Sequence, residues 1–454
     1  MKTLEKKAPA QFWIMIWGLG LAGQLAWHLE NGWFNTFVYA KIAKDSNIVA
    51  AMVMTSALVT TFSTFFFGTL SDRLGSRRRI LAVGYIVWGI FTIGFGLTEF
   101  IASGTVGNGT KLAMLAAVLV VLADDFMSFF GSMAYDSAYN AWANDWTTNT
   151  NRGQIGAALA VLPVIGTIVG TVLGGMLIGS NDNYQRLFWS MGIFVILMGV
   201  AALVFMKDAP TLVPNRGKPF WKQFGEVFNF KKFFAQKELA WTCLLALVFL
   251  LPFQVFFAHI GNWMIYHLGF TPVKIGIVQG VSLISAMLLT IPAVPLINRN
   301  KLPLVALGAV IFNIAGPWIL FLVNPQTVDT NALFSAGNIP LFVGIFAAGG
   351  GFMLVFQSLG MWLKLLYPPE SRGQFEGIRC ICFTLIPMVA GSLIGNAVVK
   401  RGAGSIINEY GITENIPTES IFLCAAILSF FSFIPLFAAS KLYWKRIREQ
   451  HEKA

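Results

Sequence analysis

The sequence predicts an all-α membrane protein whose twelve transmembrane helices form two pseudo-symmetric six-helix bundles. The first observation behind this prediction is composition: of 454 residues, 56% are hydrophobic and only 12% are charged, whereas soluble domains carry about 25% charged residues. The second is a series of about a dozen apolar runs, each near the roughly 20 residues that cross a bilayer as a helix. The third is that motifs of the first half return in the second half.

The apolar runs are joined by short polar connections and are too continuous for a membrane β-barrel. In barrel strands polar and apolar residues alternate, and runs such as Leu115–Leu122 do not alternate. The basic residues before the first run resemble the start of a signal peptide, but the run continues without a cleavage site, so we expect a retained first helix. The predicted spans are 12–40, 47–70, 80–100, 112–142, 154–179, 187–206, 239–267, 273–297, 302–323, 339–366, 374–399 and 419–440.

The 32 basic residues are unevenly distributed and predict the orientation of the chain. If both termini are cytoplasmic, most basic residues fall in segments on the cytoplasmic side, as the positive-inside rule requires. We therefore expect a multi-pass protein of the cell membrane with both termini in the cytoplasm. The formal net charge of +11 then reflects topology, so no nucleic-acid partner is expected.

The largest polar break, residues 207–238, separates two groups of six predicted spans. It contains three prolines and seven basic residues. We expect an N-terminal six-helix bundle over 1–206, a cytoplasmic central loop over 207–238 and a C-terminal six-helix bundle over 239–454. The aromatic and basic segment Phe220–Phe234 suits either a helix lying on the anionic inner surface or a plain tether between the bundles.

Short motifs recur at corresponding places in the two halves. Trp142 precedes an Arg-Gly-Gln triplet by ten residues at the end of the fourth span, and Trp362 does the same at the end of the tenth. Both triplets are followed by glycines at spacings that let helices approach closely. The first and seventh spans share a His-x-x-Asn motif. These echoes predict two parallel six-helix repeats with a binding site between them.

Polar side chains form a stripe along the first span and another along the seventh. In the first span they recur at i, i+4, i+7 and i+11, which is one helical face. Because such a stripe faces lipid only at high cost, we expect both stripes to line a shared cavity. Aromatic rings nearby suit the apolar face of a sugar, whose hydroxyl groups need amide and carboxylate partners. The predicted substrate-binding residues are Gln24, His28, Asn31, Asn35, Tyr135, Asp136, Asn140, His259, Asn262, Trp263, Tyr266 and Gln357.

The fourth span carries three carboxylates, an unusual number for a membrane helix. Asp125 and Asp136 are eleven residues apart and so lie on nearly the same face, whereas Asp124 points elsewhere. A carboxylate at membrane depth costs on the order of 3 kcal/mol, which indicates a function. Asp125, Asp136 and Glu30 are therefore predicted to bind a coupling proton, with a histidine of either stripe as a relay. The alternative is that each is a neutral or satisfied hydrogen-bonding residue.

No motif of an enzyme or of a cofactor site is present. The chain has no Walker loop, no His-Glu-x-x-His and no Gly-x-Ser-x-Gly. Its four cysteines lie within apolar spans and lack the spacing of a zinc site. We therefore expect neither catalysis, nor a metal, nor a cofactor, and any pumping must draw on ion or solute gradients.

The run Gly68–Arg79, between the second and third spans, reads Gly-Thr-Leu-Ser-Asp-Arg-Leu-Gly-Ser-Arg-Arg-Arg and resembles the loop signature of the major facilitator superfamily. The resemblance implies the twelve-helix fold of that superfamily. It also implies that Asp72 helps to close the cytoplasmic side against the eleventh helix. The predicted gating residues are Asp72, Arg73, Arg77, Arg372, Glu376 and Arg379; Glu376 and Arg379 are three positions apart and can pair on a helix. For Arg379 a substrate anchor is the alternative to this gate.

Within that superfamily, residues 135–152 and 262–269 resemble the glycoside–pentoside–hexuronide cation symporters, the melibiose-permease group. The resemblance implies that Asp136 takes the place of a fourth-helix carboxylate near sugar and cation. The chain departs from the group at Thr60 and Thr64, where sodium-coupled members carry acids. Since hard cations need charged oxygen ligands, a proton is the expected coupling ion. A fifth span without charge also lacks the group's basic sugar anchor.

Together these features predict a monomeric secondary active transporter for a small polar solute, a sugar or glycoside, working by alternating access with proton coupling. The expected partners are the solute, the proton and the lipid bilayer. Two alternatives stay open: an exporter of drugs or amphipathic molecules of the same superfamily, and a non-transporting membrane sensor.

Overall fold

The computed structural model describes residues 9–103, 109–148, 151–210, 212–214, 217, 219–225, 230–366, 378–407, 411 and 413–452. Contacts between residues divide the chain into two compact units. The first unit comprises Met1–Ala43 and Thr55–Gly225, and the second comprises Lys44–Met54 and Glu226–Ala454. The boundary between Gly225 and Glu226 thus falls within the polar break, residues 207–238.

Among the described residues, twelve helical segments are long and apolar enough to cross a membrane. Their outer faces keep apolar side chains exposed, as a surface that meets lipid should: in the third segment Val83, Ile90 and Leu97, seven residues apart, are 40–52% exposed. The segments, called spans 1 to 12, are Ala10–Ile42, Ser46–Leu74, Arg78–Ala102, Met114–Asp145, Gln154–Ile178, Tyr184–Phe205, Lys237–His267, Pro272–Asn298, Leu302–Phe321, Ala336–Leu363, Ile378–Val399 and Ser420–Gln450.

The first unit contains spans 1 and 3 to 6 and most of span 2. Span 3 packs most extensively on span 6, and span 1 packs on span 5. Phenylalanines form much of the core: Phe34 stacks on Phe95 at 4.4 Å between ring centroids, and Phe37 meets Phe188 edge-on at 4.8 Å. The α-helices are Ala10–Phe37, Ser46–Leu74, Arg78–Ser103, Gly109–Gly131, Asn140–Asp145, Arg152–Ile178, Tyr184–Phe205 and Phe220–Gly225.

The second unit contains spans 7 to 12 and the start of span 2. Span 9 packs most extensively on span 10, and span 7 packs on span 11. The strands Ser405–Ile407 and Thr413–Asn415 pair antiparallel after span 11. The α-helices are Phe230–Ala235, Lys237–Phe257, Ile260–Asn262, Pro272–Thr290, Ala293–Asn298, Leu302–Phe321, Ile339–Leu366, Ile386–Val399, Ser420–Ser429 and Phe433–His451, with 3₁₀ turns at Ala336–Asn338 and Phe430–Ser432.

Polar contacts tie the start of span 2 to span 11 in the second unit. The Ser46 hydroxyl donates to Asn396 Oδ1 at 2.6 Å, and Asn396 Nδ2 donates to Asn47 Oδ1 at 3.1 Å. The Asn396 side chain is therefore used as both donor and acceptor.

In the described part of the chain, π-helical segments occur in four spans: they end spans 1 and 7 and lie inside spans 4 and 11. They are Val38–Ile42 in span 1, Ser132–Tyr139 in span 4, Trp263–His267 in span 7 and Ile381–Leu385 in span 11. Such insertions are rare and frequently lie at functional sites. The segment in span 4 is eight residues long and carries Asp136.

The two tryptophans of the sequence repeat are fully buried and each donates a hydrogen bond to the chain near the polar break. Trp142 Nε1 donates to the Lys207 carbonyl at 2.8 Å, and Trp362 Nε1 donates to Glu238 Oε1 at 2.8 Å. Because a buried indole N–H needs an acceptor, each contact fixes one end of a span. Arg446 Nε also donates to Glu238 Oε2 at 2.8 Å.

The aromatic segment of the polar break begins with the short helix Phe220–Gly225. Its Phe220 ring lies 5.2 Å from Phe66 of span 2, while Trp221 is 68% exposed. This part of the segment thus packs on the first unit. Whether the whole segment is an interfacial helix or a tether stays a prediction.

Candidate functional site

The polar stripe of span 1 contacts two different spans. Gln24 Nε2 donates to the Tyr135 hydroxyl in span 4 at 2.9 Å. His28 Nε2 lies 2.6 Å from Thr171 Oγ1 in span 5, and that hydroxyl donates to the Thr167 carbonyl at 2.8 Å. Since a hydroxyl has a single proton, Thr171 accepts from His28, which fixes the ring tautomer with hydrogen on Nε2.

The two asparagines of the stripe bond within their own helix. Asn31 Nδ2 donates to the Trp27 carbonyl at 2.8 Å, and Asn35 Nδ2 donates to the Asn31 carbonyl at 3.0 Å. Asn35 is buried and Asn31 is half-buried. The stripe therefore presents Gln24 and His28 to neighbouring spans, whereas the Asn31 and Asn35 amides bond to the backbone.

Glycines of span 5 allow the close approach on which the stripe depends. A Cβ atom at Gly166 would lie 2.5 Å from Gln24 Cβ, and one at Gly170 would lie 2.7 Å from the His28 ring. The Gly170 carbonyl also accepts from Trp33 Nε1 at 3.2 Å. Any larger residue at these positions would push span 1 away from span 5.

The second unit repeats this packing with different partners. Gly391 of span 11 lies against Gln254 of span 7, and Gly395 lies against His259, where an added Cβ would be 3.3 Å from the ring. His259 is 0% exposed, and within the described residues neither ring nitrogen has a hydrogen-bond partner. The counterpart of the His28–Thr171 contact is therefore missing around His259.

The remaining predicted binding residues of the second unit differ in burial. Asn262 and Trp263 are fully buried, and the Trp263 ring meets Phe422 edge-on at 4.7 Å. Tyr266 and Gln357 are half-buried.

The predicted residues of span 4 lie around its π-helical segment. The rings of Tyr135 and Tyr139 stack 4.8 Å apart, and the Tyr139 hydroxyl donates to the Ile16 carbonyl at 2.6 Å. Asn140 Nδ2 donates to the carbonyls of Tyr135 and Asp136, and the Asp136 side chain is half-buried. Span 4 therefore presents a stacked tyrosine pair beside a carboxylate.

The carboxylates deeper in the first unit are not equally buried. Asp124, which the sequence sets apart from the other two acids of span 4, is only 2% exposed, whereas Asp125 is half-buried and accepts a hydrogen bond from Thr55. Glu30 is 7% exposed and accepts from the Ser128 hydroxyl at 2.7 Å. Asp124 and Glu30 are thus the acids most fully removed from solvent. No group of three or more His, Cys, Asp or Glu side chains suited to a metal ion occurs within the described part of the chain.

A charged network surrounds Arg77, in the loop between spans 2 and 3. Arg77 is only 5% exposed. Its guanidinium pairs with Asp72 at 2.6 Å and with Asp145 at 2.9 Å, and it also donates to the Ser71 hydroxyl. Burial lowers the pKa of Arg77, but the hydrogen bond and charge of Asp145 and the charge of Asp72 outweigh burial and raise that pKa above its usual value. Asp208 accepts from the Arg77 backbone N–H at 2.9 Å.

Comparison with known proteins shows the family to which this chain belongs. The sequence profile described as Major Facilitator Superfamily matches residues 21–337. The chain belongs to this superfamily. It is therefore a membrane transporter, and the predicted fold class, twelve membrane-spanning helices of the major facilitator type, is confirmed.

Solved structures of other transporters have a similar fold. A crystal structure of a mutant of the nucleoside transporter NupG is 15% identical with a TM-score of 0.67, covering 94% of this chain and 99% of that one. A bacterial homologue of the iron transporter ferroportin, in an outward-facing state with soaked iron, is 12% identical with a TM-score of 0.63 and covers 96% and 99%. A bacterial metal transporter is 12% identical with a TM-score of 0.59 and covers 95% and 98%. At these identities the likeness concerns the fold alone. No curated protein sequence matches the chain.

The structure describes four of the six predicted gating residues. Asp72 and Arg77 pair as stated, and Arg73 is half-buried. Arg379 lies 5.5 Å above the Phe383 ring. Arg372 and Glu376 lie outside the described residues.

Several residues of these networks were not predicted. Asp145 and Asp208 complete the Arg77 network, and Thr171 and Ser128 bind the predicted His28 and Glu30. Asp145 carries a usable signal, since it is an acid just beyond the end of the predicted span 112–142. The two hydroxyl residues carry none, because serine and threonine are common in membrane helices and only packing reveals their partners.

Proposed function

We propose that this transporter moves a small polar solute, a sugar or glycoside, by alternating access with proton symport. The observation that carries the proposal is the arrangement of Gln24 and Tyr135, a hydrogen-bonded amide and phenol held between spans 1 and 4. A neutral polyol needs such paired donors and acceptors, and an aromatic surface for its apolar face. The Tyr135 and Tyr139 rings stack beside Asp136; they are 4% and 0% exposed, so a solute reaches their aromatic faces only when span 1 moves away from span 4.

The solute is proposed to contact the residues predicted from the sequence. They are those of span 1, of the π-helical end of span 4, of span 7 and of span 10. The sequence resemblance to glycoside–pentoside–hexuronide cation symporters supports the sugar class, and the nucleoside transporter of similar fold makes a nucleoside, which carries a sugar ring, a useful comparator.

Proton coupling is proposed to act through Asp125, Asp136 and Glu30. Span 2 carries threonines where sodium-coupled relatives carry acids, which leaves too few charged ligands for a hard cation. Asp72, Arg73 and Arg77 are proposed to gate the pathway together with Arg372, Glu376 and Arg379. In this proposal the transporter is a monomer built of an N-terminal bundle over 1–206, a central loop over 207–238 and a C-terminal bundle over 239–454, with both termini cytoplasmic.

Ligand-induced thermal stabilisation of the purified transporter tests the solute class. The panel contains neutral glycosides, nucleosides, lipophilic cations and divalent metal ions. We expect a glycoside to raise the melting temperature and Gln24→Ala to weaken its binding roughly fivefold to tenfold, because a hydrogen bond contributes about 1 kcal/mol.

Gln154→Ala, at an exposed glutamine of span 5, is the matched control and should leave binding unchanged. Stabilisation by lipophilic cations and by no glycoside would replace the proposal with a drug exporter. Ligand binding without any solute flux in proteoliposomes would favour the sensor.

A further inference from the structure

A buried hydrogen bond joins an acid of span 1 to a serine of span 4. Glu30 Oε1 accepts from the Ser128 hydroxyl at 2.7 Å, and the whole Glu30 side chain is close to fully buried. The other carboxylate oxygen, Oε2, is also buried and has no hydrogen-bond partner within the described residues. The Glu30 carboxyl is thus oriented by one oxygen and unsatisfied at the other.

Asp124 lies one helical turn before Ser128 on the same face of span 4. It is only 2% exposed, and its Oδ1 atom has no hydrogen-bond partner among the residues described. Its charge is the largest that acts on Glu30. Glu30 and Asp124 therefore each have one buried carboxylate oxygen without a hydrogen-bond partner among the described residues, and the charge of Asp124 acts on Glu30.

A third unsatisfied group continues this line. Ser132 lies one turn beyond Ser128, is fully buried, and its hydroxyl also lacks a partner in the described part of the chain. Asp136 follows four residues later in the π-helical segment. Span 4 therefore carries a file of polar groups that leads from Asp124 towards the predicted solute-binding end.

The charges around Glu30 are all of one sign. The charged groups that act on it are Asp124, Asp136 and Asp125, which are all acids, and none of the ion pairs found among the described residues involves Glu30 or Asp124. Two buried carboxylates without a cation repel each other and lose their hydration. A proton on one of them removes one of the two charges and with it their repulsion.

We infer that Glu30 and Asp124 together bind one exchangeable proton at membrane depth, with Ser128 positioning the Glu30 carboxyl. The inference rests on the proposed proton coupling and names the site at which it acts. The proton comes from water, forms an O–H bond to one carboxylate oxygen and returns to water when that bond breaks. The charge of Asp125 acts on both acids, and its Oδ1 is also unpartnered among the described residues. It is half-buried and bonds to Thr55, and the shared proton is not assigned to it.

Infrared difference spectroscopy between acidic and alkaline pH, on purified protein in lipid without solute, tests the site. We expect a carbonyl-stretch band of a protonated carboxylic acid that shifts in heavy water and disappears at alkaline pH. Glu30→Gln and Asp124→Asn should each abolish or shift this band, because the two groups share one proton. Ser128→Ala should move the band without removing it, since it only weakens the orientation of Glu30.

Glu99→Gln is the matched control, because this acid of the first unit already pairs with Lys41 at 3.2 Å; it should leave the band unchanged. An unchanged band in both Glu30→Gln and Asp124→Asn, or a change in only one of them, would overturn the shared site. Circular dichroism and gel filtration check that each variant folds. If Glu30→Gln fails to fold, the single variants Asp124→Asn and Ser128→Ala still test the shared site. The band is measured without transport, so a wild-type protein that has it but shows no proton-driven uptake contradicts the proposed function and leaves the site standing.

Discussion

Arg77 shows how a single side chain organises the end of a span. Its guanidinium has five N–H donors in a fixed planar fork, and the structure uses them on Asp72, Asp145 and Ser71. Its own backbone N–H binds a third acid, Asp208. One residue thereby links the loop after span 2 to the end of span 4 and to the segment after span 6.

Arg77→Ala should destabilise the transporter by about 2 kcal/mol. A fully buried pair that loses one partner costs about 3–5 kcal/mol, but Asp145 and especially Asp72 are partly exposed and can be hydrated once the guanidinium is gone. Unfolding in a denaturing detergent series measures the change. Arg79→Ala, at an exposed arginine in the first turn of span 3, should have no measurable effect, and equal stability of the two variants would contradict this account of the network.

At the scale of elements, helix contact depends on small residues. The membrane supplies no hydrophobic force between helices, so close packing and hydrogen bonds must hold them together. Span 5 meets this need with Gly166 and Gly170, which lie against Gln24 and His28, and span 11 repeats it with Gly391 and Gly395. The same packing surface thus positions a polar residue in each unit.

Gly170→Ala should destabilise the protein by about 1–3 kcal/mol, the usual effect of overpacking a core. The added Cβ would lie 2.7 Å from the His28 ring, so the ring and its bond to Thr171 must move. The control is Gly156→Ala in the same helix, where no atom lies within 4 Å of an added Cβ.

That control should be neutral or stabilising by up to about 1 kcal/mol, because alanine favours the helix. Thermal unfolding of both variants measures the difference. A loss of stability in Gly156→Ala as large as in Gly170→Ala would show that helix packing at Gly170 has no special role.

Elements were predictable from the sequence where one local property decides them. Each span needs about 20 apolar residues, so the number and approximate limits of the spans follow from composition. The π-helical segments do not, because a segment such as Ser132–Tyr139 is defined by its backbone hydrogen bonds, which residue types alone do not specify. The equivalence of Gln254 with Gln24 was also missed, because their spacings to the following histidine differ by one residue.

Partners of the site residues depend on tertiary packing and were only partly predictable. A stripe of polar residues predicts that span 1 faces other spans, but it does not tell that His28 meets Thr171 while Gln24 meets Tyr135. The burial of Asp124 is a similar case. Helical periodicity placed it off the face of Asp125 and Asp136, and only the packing of span 4 against span 1 puts it beside Glu30.

Across the whole molecule, basic and acidic side chains differ in where they lie along the spans. Among the described residues, Lys41, Arg77 and Arg446 lie near the ends of spans and pair with acids, while Glu30, Asp124 and Asp125 lie within spans 1 and 4. Acids at membrane depth are costly and are retained where they serve a purpose. The proposed energy source of this transporter, a proton gradient, gives these acids such a purpose.

Uptake of a radiolabelled glycoside into proteoliposomes under an imposed pH gradient tests this claim most directly. Our account predicts that an acidic exterior drives accumulation above the equilibrium level, that a protonophore abolishes the excess, and that Asp136→Asn loses it. Entry to the same final level with and without the gradient, in wild type and variant alike, would contradict proton coupling.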